Sequence, residues 1–293
     1  MTGLRTETGL VAEDQARVRA LCRRAETADE VCPLNEAALL GLGQTGAHLL
    51  VDESPPSGAF PALVGYACLD QDASAQIVVD PLWRRRRVAT ALLAELTRMA
   101  PEVGLWSFGD LAPARAFCRS AGFQAQRELL VMEARPRPAG DQTTVAGVRI
   151  EVFTPERLDD LVRLNARVFA DHPEQGRLTS ADFSTRMAAD WFDPNGLLIA
   201  RTDDGALIGF VWVKPGPKTE RAGAEIYVLG VDPSHTGRGV GRRLLDFALR
   251  DLTGQAVETV RLWVEADNRA AMSVYTNAGF SVVRHDFRYR RTS

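Results

Sequence analysis

A chain of 293 residues carries one run of signals twice. Asp80-Pro81 returns as Asp232-Pro233 at an offset of 152 (232 − 80). Trp106 and Ala121-Gly122-Phe123 return as Trp263 and Ala278-Gly279-Phe280 at an offset of 157 (263 − 106). Solenoid repeats run at about 20–50 residues, so a period this long is a duplicated domain rather than a stacked array. The chain therefore reads as two copies of one α/β unit.

In the first copy, helical periodicity runs over Leu10–Ala28, and a short helix is expected at Glu36–Gly41. Strands are expected at His48–Val51 and Ala62–Leu69, around the loop SPPSGAFP. A strand at Gln76–Val79, a helix over Trp83–Ala100, a strand at Leu105–Phe108, a helix at Pro113–Ser120 and a strand at Leu129–Glu133 complete it. Arg135–Ala146 has prolines, glycine and polar residues without periodicity, which places domains at 1–134 and 147–293 with a linker at 135–146. The second copy opens with a strand at Val148–Val152, then a helix over Pro155–Phe169 capped by Thr154. A helix from Ser180 to about Trp191 follows, then strands at Leu197–Arg201 and Leu207–Val213 joined by Asp204-Gly205. Strands at Glu225–Val231 and Val260–Glu265, helices from Arg242 and Asn268, and a strand pair over Ser281–Arg290 end the chain.

Composition narrows the function classes. With 45% hydrophobic and 25% charged residues the chain is an ordinary soluble globular protein. A net charge of −3 gives no surface for nucleic acid or anionic membrane. No apolar run nears the roughly 18 residues that span a bilayer, and MTGLRTETGLVAEDQ lacks a basic-then-apolar leader. Cys22, Cys32, Cys68 and Cys118 show no paired ligand spacing, so no metal is expected and the thiols read as small core residues. The cytoplasm is the expected location and a monomer the expected form.

The stretch from Glu225 to Leu245, EIYVLGVDPSHTGRGVGRRLL, is a buried strand, a turn with Gly237, Gly239 and Gly241, and then a helix. Unpaired N–H groups at a helix start, with glycines that admit close approach, make a phosphate cradle. An ordinary strand-to-helix turn is the other reading. The glycine spacing fits neither the Rossmann nor the Walker pattern. Together with NRAAMSVYTNAGF from Asn268 to Phe280, it resembles the two signatures of the Gcn5-related N-acetyltransferase (GNAT) superfamily. Thr236 stands where that family's loop usually has Gln or Arg. The resemblance covers both copies. It implies two tandem GNAT-type domains, each a mixed, mostly antiparallel sheet flanked by helices, with acetyl-CoA as co-substrate.

Aligned by the repeat, Gly237, Gly239 and Gly241 face Arg85, Arg87 and Ala89, and Asn268 and Tyr275 face Leu111 and Cys118. Glu225, seven residues before Asp232, faces Ala73. The first domain therefore reads as non-catalytic. A weak CoA site at Ile77, Val78, Val79, Arg85, Arg86, Arg87, Val88, Ala89 and Thr90 is one reading of its basic stretch, and a solvated helix start is the other. In the second domain, acetyl transfer to an amine needs a base, and Glu225 is placed for it. A backbone N–H near Leu229–Val231 can meet the thioester oxygen, and the Tyr275 hydroxyl can protonate the thiolate. A strand-edge carboxylate and a core-edge tyrosine are the ordinary alternatives, and core packing is the default for Trp263.

Two GNAT units with the chemistry in the second resemble the mycothiol synthase family. Its members acetylate the cysteinyl amine of a cysteine–glucosamine–inositol pseudodisaccharide. The matching pieces are PLNEAALL, DHPEQG, EIYVLGVDP and LWVEADNRAAMSVYTNAGF. This resemblance implies acceptor contacts at Glu36, Glu174, Lys214, Glu225 and Trp263, and Tyr275 as general acid. It implies CoA contacts at Leu229, Gly230, Val231, Thr236, Gly237, Arg238, Gly239, Val240, Gly241, Arg242, Asn268, Arg269, Ala270, Ala271, Met272 and Ser273. Another small amine or a peptide N-terminus as acceptor, or a non-catalytic acyl-CoA sensor, fits the same residues.

Overall fold

The computed structural model describes residues 3–53, 62–136, 145–170, 175–216 and 223–291. In chain order the elements are β1 (Leu4–Glu7), α1 (Ala12–Asp29), α2 (Glu36–Leu40), β2 (Ala47–Glu53), β3 (Ala62–Leu69), β4 (Ser74–Val79), α3 (Val88–Met99), β5 (Gly104–Ser107), α4 (Ala112–Ser120) and β6 (Phe123–Ala134). There follow β7 (Val148–Val152), α5 (Leu158–Val168), α6 (Ser180–Met187), β8 (Leu197–Thr202), β9 (Leu207–Pro215), β10 (Gly223–Val231), α7 (Val240–Gly254), β11 (Thr259–Glu265), α8 (Arg269–Asn277) and β12 (Ser281–Arg291).

The chain forms two compact units, Met1–Leu130 with Arg284–Ser293, and Val131–Val283. They do not coincide with the two repeats, because the last strand of each repeat is shared out. In the first unit the strand order is β1-β2-β3-β4-β5-β12, antiparallel except for β4 beside β5. In the second it is β11-β10-β9-β8-β7, antiparallel except for β10 beside β11, and the end of β6 lies next to β11. Each is the mixed, mostly antiparallel sheet expected.

In the first unit α3 lays Val88, Leu92, Leu93 and Leu96 on one sheet face with Leu49, Ala67, Leu105 and Tyr289. On the opposite face α1 buries Val18, Leu21 and Cys22 with Leu50, Tyr66 and Val78. In the second unit Leu161 and Leu164 of α5 meet Phe183, Phe210, Trp212 and Val228. The repeat also places a glycine under each loop-following helix. A Cβ on Gly65 would meet Val88 Cγ1 at 2.5 Å, and one on Gly209 would meet Leu244 Cδ1 at 3.0 Å. Only a bare backbone lets α3 and α7 lie this close to the sheet.

Several boundaries differ from those expected. The helix expected over Trp83–Ala100 starts at Val88, because Pro81–Trp83 is a 3₁₀ turn and Arg85 and Arg87 hold φ of 63° and 64°. Positive φ is incompatible with a right-handed helix. Thr154 does not cap: Pro155–Arg157 is a 3₁₀ turn and the α-helix begins at Leu158. The helix at Ser180 stops at Met187, and its cap is Thr179, in a reciprocal box with Asp182. The expected strand pair at the end of the chain is one continuous strand, β12. Most of the linker stretch and the loop SPPSGAFP lie outside the described residues.

The two loops are copies at the level of backbone angles. Asp80 has φ −50°, ψ 129° and Asp232 has φ −51°, ψ 130°, and each accepts an N–H two residues on at 3.0 Å. Arg85 and Arg87 repeat the left-handed conformation of Gly237 (φ 74°) and Gly239 (φ 81°). For residues with a Cβ that conformation costs about 1–2 kcal/mol each. A Cβ on Gly237 would meet nothing within 4 Å, so Gly237→Ala should lose only this backbone term, about 1 kcal/mol. Arg85→Gly should cost under about 0.5 kcal/mol. Urea unfolding of the two variants checks the asymmetry, and equal losses would contradict it.

Candidate active site

The site grows from the end of a strand pairing. In the second unit β10 and β11 pair in parallel at Gly223–Thr259, Ala224–Val260 and Glu225–Arg261, and no further. β10 continues to Val231 and β11 to Glu265, so a wedge opens between them from Ile226 onward. Glu225 stands at the last paired position. Its other neighbour, across β9, is Lys214.

Along β10, Ala224, Ile226, Val228 and Gly230 are buried and Glu225, Tyr227, Leu229 and Val231 half-buried. Pairing with β9 puts Glu225 and Val228 on the face of Lys214 and Trp212, and Ile226, Leu229 and Val231 on the opposite one. The β9 register slips between Ile226, opposite Val213, and Val228, opposite Trp212. Tyr227 is the extra residue, a β-bulge, and a bulge leaves backbone polar groups of its strand unpaired. The matching strand pair of the first unit has no such slip. There β3 and β4 pair without interruption from Leu69–Ala75 to Gly65–Val79, and β4 and β5 pair at Ser74–Gly104, Ala75–Leu105 and Gln76–Trp106. With Trp106 matched to Trp263, Ser74, rather than Ala73, occupies the place of Glu225. The inserted Tyr227 shifts the alignment by one residue between Glu225 and Asp232. The first unit thus lacks both the carboxylate and the bulge.

Around Glu225, charges alternate across the strands. Glu133 of β6 accepts Nε and Nη2 of Arg261 at 2.8 and 2.6 Å. Arg261 faces Glu225, and Glu225 faces Lys214. Lys214 Nζ lies 5.1 Å from the ring centroid of Trp191 and 5.9 Å from that of Tyr227. Trp263 is not core, as its apolar neighbours suggested. It is 36% exposed, while Leu262 and Val264 beside it are buried. It shares its strand face with Arg261, an arrangement suited to a ligand wall.

At the far end of β10 the loop turns into α7. Asp232 anchors it, accepting from the Ser234 hydroxyl at 2.6 Å, the Ser234 N–H at 3.0 Å and Arg167 Nε and Nη2 at 3.0 and 2.9 Å. These bonds, led by the Ser234 hydroxyl, hold its carboxyl down at about 2. Thr236 gives its hydroxyl to Pro233 O, so it is spent on the turn. The left-handed Gly237 and Gly239 place Val240 at the first turn of the fifteen-residue α7. That arrangement of free N–H groups at a long helix start fits a pyrophosphate. Of the charged side chains nearby, Arg242 is paired with Asp246 at 2.8 Å.

Asn268 caps α8 as expected, accepting the Ala271 N–H at 3.1 Å. Arg269, Ala270 and Ser273 are exposed, and Ala271 and Met272 are half-buried. Tyr275 is 6% exposed with its ring 5.9 Å from Phe280, and burial pushes its phenol up to about 12. It is a weaker acid than a free tyrosine. In the first unit the matching side chain is Cys118, which lines a cavity of about 650 Å³. The same cavity is bounded by Ile77, Val78, Val79, Arg85, Arg87, Val88, Ala89 and Thr90, all residues of the candidate first-domain CoA site. Arg86 lies outside that lining, over the ring of Trp83 at 4.7 Å. Glu36 is exposed at the first turn of α2, which Asn35 caps. Glu174 lies outside the described residues. Sequence reasoning missed Tyr227, Arg186, Trp191 and Arg261, whose roles depend on register. The sequence carries no mark of the bulge except one residue of slip inside the repeat.

The family model for acetyltransferase (GNAT) family matches residues 21–123 and 160–280. A mycothiol acetyltransferase of Clavibacter sepedonicus is 42% identical over 96% of this chain and 93% of its own. One of Clavibacter michiganensis subsp. michiganensis is 44% identical over 92% and 88%. The chain belongs to the GNAT acetyltransferase family, in its mycothiol acetyltransferase branch. Two solved structures share the fold at 20% identity. A GCN5-related N-acetyltransferase from Sphaerobacter thermophilus has a TM-score of 0.74 over 98% of this chain and 95% of that one. A tandem GNAT protein from the clavulanic acid biosynthesis pathway has 0.71 over 99% of both. GNAT enzymes use acetyl-CoA, and the glycine loop with its α7 start is the feature here that fits it.

The Asp232 anchor yields a pH test. Because its carboxyl is held below the ordinary carboxylate value of about 3.9, its contribution is complete above that value and fades as pH falls through about 2. Asp232→Asn should cost about 1 kcal/mol at pH 7, the usual worth of such a cap. The gap between wild type and variant should narrow between pH 4 and pH 2 in denaturant titrations. A gap independent of pH would show that the charge of Asp232 does not hold the loop.

Proposed function

We propose that the chain transfers the acetyl group of acetyl-CoA to the cysteinyl amine of the cysteine–glucosamine–inositol pseudodisaccharide, forming mycothiol. The observation that carries this is Glu225 at the last paired position before β10 and β11 part, between Arg261 and Lys214. An amine entering the wedge there meets a carboxylate able to take its proton, directly or through one water. The acceptor itself is taken from the names of the relatives and from the resemblance, which adds Glu36, Glu174, Lys214 and Trp263 as its contacts. The enzyme works in the cytoplasm as a monomer and without a metal ion.

The chemistry sits in the second domain. Leu229 to Val231 and Thr236 to Arg242 hold the pantetheine and pyrophosphate, with Asn268 to Ser273 alongside. Backbone N–H groups freed by the bulge stabilise negative charge on the thioester oxygen. Tyr275, protonated throughout the working range, donates a hydrogen bond to the departing sulfur. With its phenol near 12 and an ordinary thiol near about 8.5, full proton transfer is uphill, so its share is smaller than that of Glu225. The first domain binds a second CoA without turning it over. Its support is the pair of left-handed arginines and the adjoining cavity, in a unit that has no carboxylate at Ser74.

Glu225→Gln should slow acetylation of the pseudodisaccharide by ~10²–10⁴-fold, with the deficit shrinking as pH rises and free amine becomes abundant. Tyr275→Phe should slow it less. A Glu225→Gln enzyme with wild-type rate and pH profile would remove the base, and a wild type inert toward the pseudodisaccharide would remove the acceptor. Calorimetry should find two CoA per chain, falling to one in Gly239→Glu, which adds bulk and negative charge at the second loop. A single site lost entirely in that variant would leave the first domain without one.

A further inference from the structure

The bulge in β10 has a prop that the first unit lacks. Tyr227 extends from it into a ring cluster, 5.4 Å from Trp191 and 5.7 Å from Trp212 between centroids. Its phenol oxygen accepts a hydrogen bond from Arg186 Nε at 3.1 Å. Arg186 is itself fixed, donating from Nη1 to Asp182 O at 3.2 Å. Asp182 is the residue whose carboxylate accepts the N–H of the Thr179 cap at 2.8 Å. A chain of contacts thus runs from the start of α6 to the bulge. In the first unit β4 is regular, and Gln76 accepts the backbone N–H of Asn35 at 2.8 Å instead.

An extra residue in a strand can be absorbed in more than one way, and the choice decides where the freed N–H groups point. A large ring held at its tip selects one of them. We propose that Arg186 is a positioning residue for acetyl transfer, fixing the Tyr227 bulge so that the backbone N–H groups it frees face the thioester oxygen. This rests on the reading of the wedge as the acetyl-transfer site. Arg186 acts through Tyr227 and touches no reacting atom. Losing a donor to a developing oxyanion costs about 10²–10³-fold in turnover, and partial misplacement costs less.

The test uses the full chain with Tyr227→Phe, Arg186→Leu, Arg186→Lys and the double variant Tyr227→Phe/Arg186→Leu. Tyr227→Phe keeps the ring and its packing, so it separates the hydrogen bond from folding. Each single removal should lower kcat by ~10–10²-fold, leaving CoA affinity by calorimetry and the KM for amine within about 2-fold. The double variant should fall no lower than the worse single, because both changes break one contact. Arg186→Lys should recover part of the loss, since an ammonium can still donate to the phenol. Wild-type kcat in Tyr227→Phe and Arg186→Leu, or losses that multiply in the double variant, would overturn the proposal. Rates are read on an amine that the wild type acetylates. If the pseudodisaccharide is not such an amine, the acceptor reading fails while this comparison still decides the role of Arg186.

Discussion

Two strands that begin paired and then part are the constraint on which this structure depends. β10 and β11 share only three register positions, as do β4 and β5. Beyond them β10 runs on to Val231 and β11 to Glu265, so polar backbone groups line the inner edges of a wedge. Such groups must find partners. A fold that withholds them from its own ladder keeps them for something extended and polar. The glycine or arginine loop at the end of the same strand then supplies a second set of free donors. The side chains only decide what is done with whatever lies there.

The two units show how that decision is made. They agree in the backbone angles of their loops, in the aspartate that anchors each, and in the glycine beneath each following helix. Their differences lie at a few positions: Ser74 against Glu225, Cys118 against Tyr275, and a regular strand against a bulged one. Arg85 and Arg87 hold conformations that glycine would adopt at less cost. The first unit has therefore kept the shape of its loop against a steric penalty, while the carboxylate chemistry is absent from it.

Much of this could be read from the amino acids. The duplicated Asp-Pro and Ala-Gly-Phe fixed the number of domains, and apolar periodicity located nearly every helix and strand. Asn268 behaves as its residue type predicts, because a cap is a local interaction. What escaped was set by longer-range geometry. The start of α3 moved five residues, from Trp83 to Val88, because positive φ in arginine has no sequence signature. The partner of Glu225 was misjudged by one residue, because a bulge shifts register without changing composition. Trp263 looked like core because its strand neighbours are apolar, yet alternation turns it outward. Arg186 and Tyr227 are 41 residues apart, and only the fold brings them together.

The division of the chain between units has its own consequence for biosynthesis. The first unit contains Arg284–Ser293, and β5 has its antiparallel partner in β12 through Phe287–Ser107 and Tyr289–Leu105. A ribosome delivers the first 130 residues long before this strand exists. Until then β5 presents an open edge, the kind of surface that invites pairing with other chains. The sheet of the first unit is therefore completed only once β12 has been made. Cutting the chain between its repeats would take from β5 the strand it pairs with, so the two copies, though duplicated in sequence, are not the two units of the structure.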